Sequence, residues 1–69
     1  LQLKRLSDFV EWELELFRQN CNFSDEELEY FNLRAKNKSH IQISIEMNMS
    51  ESKISKLAKR VKAKMLKVL

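Results

Sequence analysis

At 69 residues the chain is one small domain, and a domain of that size buries only about 60% of the surface its unfolded chain exposes. It has no glycine and no proline, which removes the residues that hairpins and tight turns ask for. An all-α fold is therefore expected: four helices, a long N-terminal one followed by a trihelical core. One cysteine, Cys21, and one histidine, His40, exclude an internal disulfide and cannot complete a zinc site between them. No cofactor is implied, and a reducing, cytoplasmic setting is the default. Apolar runs reach only two residues, which excludes a membrane-spanning helix. The chain opens on Leu1 in place of Met, so a fragment or a trimmed chain stays open.

The net charge of +3 is unevenly spread. Residues 1–31 carry three basic and eight acidic side chains, net −5, and residues 32–69 carry ten basic and two acidic, net +8. Such segregation suits a polyanion on one part of the molecule. A solvated lysine-rich face is the plain alternative.

In chain order, "LQLKRLSDFVEWELELFRQN" places Leu3, Leu6, Val10, Leu14, Phe17 and Cys21 at steps of three and four, a helical stripe. Phe9, Trp12 and Leu16 form a second apolar line beside it, wider than one packing seam needs. Glu11, Glu13 and Glu15 alternate with apolar residues, so a short strand over 9–17 competes with the helix. Length and the longer stripe favour the helix. Cys21 reads as a small hydrophobe on that stripe. Trp12 reads equally as core or as interface.

"SDEELEYF" starts a second helix. Ser24 and Glu27 have the spacing of a capping box, Phe23 and Leu28 that of a hydrophobic staple, and Asp25, Glu26 and Glu27 suit the positive end of the helix dipole. The helix should run from Asp25 to Lys36, burying Leu28, Phe31, Leu33 and Ala35, and end at Asn37 in the left-handed region. Ser39 with Gln42 opens a third helix, with Ile43 and Met47 on its inner face. Asn48 then stands where glycine usually sits, and Ser50 caps a fourth helix. Lys53 occupies the position where a capping box wants an acid. Ile54, Leu57, Ala58, Val61, Met65 and Val68 form the apolar stripe of this last helix. The methionines are core packers.

A short helix, a turn of about three residues and a second helix with one apolar and one basic side make the layout of a helix-turn-helix. Ser44 is small where the two helices pack closely, Asn48 turns the chain, Met49 plugs the core and Ile54 anchors the second helix. Residues 23–66 resemble the four-helix DNA-binding domain of LuxR-type regulators and region 4 of bacterial sigma factors. "SDEELEYFNLRAKN" is similar to the family's acidic capped helix. "SHIQIS" is similar to its next capped helix, with Ser44 in place of alanine. Met47, Asn48, Met49 and Ser50 stand where the family has Leu-Gly-hydrophobe-Ser. The family's glycines are replaced at Asn37 and Asn48. In style the match leans toward small regulators of bacterial phages and mobile elements.

The resemblance implies that Glu51, Ser52, Ser55, Lys56 and Lys59 face the major groove of double-stranded DNA. Lys56 would donate to guanine, and Ser52 or Ser55 would approach either kind of base edge. Glu51 could accept from cytosine, though complementing the helix dipole is the simpler role. Lys53, Arg60, Lys62 and Lys64 suit phosphates, as do Lys38, Ser39 and His40 at the start of the third helix. His40 has a plainer reading as a solvated early-helix residue.

Residues 1–22 are thus expected to form a helix for packing and a homodimer contact through Phe9, Trp12 and Leu16, and residues 23–69 the DNA-binding unit of a transcription regulator. The alternative is a sigma-like interaction module whose partner is RNA polymerase or another regulator. Nothing points to an enzyme: no nucleophile–base pair is suggested, and no glycine loop exists to cradle phosphates.

Overall fold

A chain without glycine must hand its left-handed turns to another residue, and here asparagine takes all of them among the described residues. Asn22, Asn37 and Asn48 have φ of 53°, 67° and 55°, a region that asparagine tolerates better than other non-glycine residues. These three stand at the three joints between helices. The computed structural model describes residues 6–69. A 3-10 turn at Leu6–Asp8 leads to α1 (Glu11–Asn20), α2 (Asp25–Ala35), α3 (His40–Met47) and α4 (Glu51–Val68).

Two of the joints share one hydrogen-bond pattern. The Asn37 N–H donates to Arg34 O at 2.9 Å and the Lys38 N–H to Leu33 O at 3.3 Å. The Asn48 N–H donates to Ile45 O at 3.2 Å and the Met49 N–H to Ser44 O at 2.9 Å. Each is a Schellman closure, which satisfies carbonyls the helix end would orphan. Each following helix is capped by serine. Ser24 and Ser39 form reciprocal boxes with Glu27 and Gln42. Ser50 Oγ accepts from the Lys53 N–H at 3.2 Å, with no carboxylate returning the bond, as the lysine there predicts.

The core runs through all four helices. Phe31, Ile43 and Ile54 lie at its centre, fully buried, and Leu57, Val61 and Met65 extend it along α4. From α1 come Leu14 and Phe17, and from its C-cap Cys21. Edge-to-face ring pairs tie the N-terminal stretch to the trihelical part: Phe9 with Phe17 at 5.2 Å and Phe17 with Phe31 at 6.3 Å. Residues 6–22 and 23–69 therefore meet in one hydrophobic cluster.

Two expectations need correction. The N-terminal helix is shorter than its stripe: Val10 is extended, with ψ of 164°, and α1 begins only at Glu11. The Glu13 carboxylate accepts the Val10 N–H at 3.0 Å, so a glutamate caps a helix that no serine or aspartate side chain opens. Val10 is exposed, and the short strand weighed for 9–17 does not form. Leu3 lies outside the described residues. On α4 the apolar stripe stops being core at Met65, and Val68 emerges to the surface.

Candidate nucleic-acid interface

The αL turn at Asn48 fixes what α4 shows to solvent. Ile54, Leu57 and Val61 point into the core, so at 100° per residue the opposite face carries Ser52, Lys56, Lys59 and Ala63, all exposed. Glu51 and Ser55 are exposed as well. Ser52, Ser55, Lys56 and Lys59 thus turn away from the core, whereas Glu51, three residues before Ile54, lies nearer the core-facing side and acts on His40 of α3. The outward residues divide into two flanks. Lys56 shares an open cleft of about 320 Å³ with Ser50, Ser52, Lys53 and Arg60, whereas helical spacing sets Ser55, Lys59 and Lys62 on the other flank.

Not every cation of the basic half is available. Lys53 Nζ lies 3.6 Å from Glu26 of α2 and Lys38 Nζ lies 3.9 Å from Glu46 of α3, solvent-exposed pairs of about 0–1 kcal/mol that a phosphate can displace. Lys56, Lys59, Arg60, Lys62 and Lys67 are exposed and pair with no acidic group among the described residues.

Lys64, expected on a phosphate, is committed elsewhere. Its ammonium pairs with the Glu27 carboxylate and donates to Asn22 O at 3.1 Å. Glu27 also accepts the Ser24 N–H at 2.9 Å. The Lys64 bond, then the backbone bond, hold this nearly buried carboxyl below the usual glutamate range, against the cost of burial. The reason is steric as well as electrostatic: α4 packs on α2, and Lys64 sits on the side of α4 that faces the start of that helix.

The N-terminus of α3 offers less than expected to an anion. Ser39 spends its N–H on Gln42 Oε1 and its Oγ on the Gln42 N–H. His40 is half-buried and shares a 2.9 Å hydrogen bond between Nε2 and the Tyr30 hydroxyl. Burial first, and the Arg34 guanidinium second, push the imidazole below its ordinary value, with Glu51 opposing. A neutral ring locked to Tyr30 is a structural residue. Arg34 itself donates to Lys38 O at 2.6 Å, closing the α2–α3 joint.

On α1, Trp12 is 67% and Leu16 46% exposed. They border an open groove of about 210 Å³ that Phe17, Val68 and Leu69 also line. Phe9, half-buried beside Phe17 at the edge of the core, lines the same groove, so the three residues expected at a contact do share one surface.

Three polar features escape sequence reasoning. Arg18 donates to Asn32 Oδ1, Glu11 and Glu15 at 2.9, 3.0 and 3.1 Å and stacks 5.6 Å from the Phe31 ring, which pins α1 to α2. A signal for it exists: it is the one basic residue in an acidic stretch, three and seven positions after glutamates. The Glu27–Lys64 and Tyr30–His40 pairs join distant positions, and no local pattern announces them. Among the described residues no cluster of ligating side chains could hold a metal ion, and no helix is long and apolar enough to cross a membrane. In comparisons with known proteins, no family model, no curated protein and no solved structure matches the chain.

Proposed function

We propose that this chain is a cytoplasmic, sequence-specific DNA-binding transcription regulator of bacterial or phage type, which inserts the N-terminal half of α4 into the major groove and acts as a homodimer. One observation carries the reading. A left-handed turn at Asn48 buries Ile54 and leaves Ser52, Ser55, Lys56 and Lys59 on an exposed helix face beside Arg60 and Lys62, cations that pair with no acid among the described residues. Ser52, Ser55 and Lys56 read bases; Lys53, Arg60 and Lys62, with Lys38 at the α2–α3 joint, hold phosphates and set register. Glu51, at the first position of α4, serves the helix dipole. The resemblance of residues 23–66 to LuxR-type and sigma region 4 domains supports the same assignment.

The test is selection of bound sequences from a random duplex pool, followed by anisotropy titrations at several salt concentrations. Four phosphate-holding cations per protomer give a log–log salt slope of about −3.6 per protomer. Lys56→Ala should relax preference at one base position, and Arg60→Ala should weaken matched and scrambled duplexes alike. A pool that yields no enriched sequence, with binding that does not respond to salt, rejects the proposal.

A second reading has one observation in its favour. Ile41 and Ile45, one turn apart on α3, are among the most exposed apolar residues of the chain, an unpartnered pair suited to a protein contact. Under that reading the domain is a sigma-like module docking on RNA polymerase. Added polymerase would then protect α3 from hydrogen exchange while duplex alone leaves α4 unprotected.

A further inference from the structure

We propose that the open cleft on the Lys56 flank of α4 seats one phosphate group, and that Glu26 of α2 is the internal anion a phosphate must displace from it. The inference rests on the DNA reading above for the source of the phosphate, and deepens that reading. The cleft, of about 320 Å³, is lined by Ser50, Ser52, Lys53, Lys56, Leu57 and Arg60. That volume is at the small end of the range for ligand clefts, about 300–1,000 Å³. Leu57 is buried and gives the cleft an apolar base, so charges above it attract more strongly than in open water.

Three cations on one flank of a helix repel one another, and only one of these has an acidic partner. Lys53 Nζ lies 3.6 Å from Glu26 Oε2, whereas Lys56 and Arg60 pair with no acid among the described residues. Glu26 belongs to the first turn of α2, outside the cleft lining, and reaches Lys53 alone. The cleft therefore keeps an excess of positive charge. A phosphate there meets more partners than Glu26 does. It gains the Lys53 ammonium and the Arg60 guanidinium, which can offer two parallel N–H donors. It also gains Ser50, whose Oγ accepts the Lys53 N–H at 3.2 Å and keeps its proton to donate. Lys56 and Ser52 remain for base edges.

Solvent favours the exchange. The Lys53 and Glu26 side chains are 54% and 48% exposed, so water takes up the released carboxylate. Exposed pairs of this kind are weak, which limits what Glu26 withholds: its removal should tighten phosphate binding about two- to fivefold. A carboxylate that instead positioned Lys53 for the phosphate would weaken binding on removal. The sign of the change decides between them.

Calorimetry with sodium tripolyphosphate and anisotropy with duplex, both at low salt on the intact chain, test the proposal. Glu26→Gln should bind both about two- to fivefold tighter than wild type. Asp25→Asn removes the same charge from the same turn, at a residue that pairs with no cation among the described residues, and should gain less. In a Lys53→Met background Glu26→Gln should gain no more than Asp25→Asn does, a coupling that a change in net charge or helix stability does not produce. Circular dichroism should show wild-type helix in every variant. The proposal is overturned by a Glu26→Gln protein that binds tripolyphosphate no tighter than Asp25→Asn, by a gain that persists without Lys53, or by no tripolyphosphate binding at all. The duplex arm keeps the DNA reading separate. Tripolyphosphate that follows the pattern while no duplex binds leaves a seat for a free polyphosphate and sinks the DNA reading. Salt-dependent duplex binding without a tripolyphosphate response sinks the seat alone.

Discussion

Replacing Lys64 with methionine separates structural lysines from DNA-facing ones. The substitution keeps the aliphatic stem and removes the ammonium, leaving the Glu27 carboxylate with the Ser24 N–H as its remaining partner. Stripping the cation from a fully buried pair costs about 3–5 kcal/mol. Here the Lys64 side chain is 34% exposed, so water softens the loss, and the capping bond survives. A cost of about 2 kcal/mol follows. For a domain of this length each kcal/mol moves Tm by about 4–8 °C, so the variant should melt about 8–16 °C below wild type. Arg60→Ala is the matched control: Arg60 is exposed and pairs with no acid among the described residues, so stability should hold within about 0.5 kcal/mol, or about 2–4 °C of Tm. Thermal melts by circular dichroism read the first effect, and anisotropy against salt, well below Tm, reads the second. Arg60→Ala should reduce the salt slope by about 0.9, and Lys64→Met should leave it unchanged. A Lys64→Met protein that melts with wild type and loses about 0.9 of slope would refute the assignment of this lysine to Glu27.

Three further outcomes follow from the same geometry. Glu27 has its folded pKa depressed, so its contribution is complete above the unfolded value of about 4.3 and disappears as pH falls through the lower folded value. Glu27→Gln keeps the capping spacing and should flatten the acid limb of Tm against pH; matching acid limbs in both proteins would reject this. His40 is also depressed, so the unfolded chain takes up its proton first and stability falls as pH drops from about 6.5 toward the folded value. An NMR titration of the imidazole should find its midpoint below 6.5, and a midpoint above that contradicts the Tyr30 lock. Asn48 sits at φ 55°; Asn48→Gly should be as stable as wild type or better by up to about 1 kcal/mol, and Asn48→Val worse by about 1–2 kcal/mol. Equal urea midpoints for the two would mean that the turn does not need a left-handed residue.

The features legible in the sequence are local in the chain. Capping boxes at Ser24 and Ser39, the left-handed residues Asn37 and Asn48, and the inward Ile54 each follow from side-chain chemistry acting over four or five positions, and each forms as expected. The start of α1 is not legible, because helical spacing of apolar residues persists through an extended Val10; the stripe records which side chains face the core, and a 3-10 turn followed by a helix can satisfy it as well as one rod. The fates of Lys64 and His40 are illegible for another reason. Lys64 looks like its neighbours in sequence, and its commitment depends on Glu27, thirty-seven positions earlier, arriving beside it when α2 packs on α4. Tyr30 and His40 meet only once the Asn37 joint has folded α3 back toward α2.

Those long-range ties matter to the candidate site because they set how α4 is rotated about its own axis. A slip of one residue turns a helix by 100°, enough to carry Lys56 off the outward face. Ile54, buried against α2 and α3, resists that turn near the start of the helix, and Lys64 resists it ten positions later through Glu27 and Asn22. Between those two anchors lie Ser55, Lys56, Lys59, Arg60 and Lys62, the residues whose direction decides whether a duplex can be read. The acidic half of the chain is therefore part of the proposed DNA-reading machinery without touching DNA: its Glu27 holds the one lysine of that stretch that must stay tied if the others are to point outward.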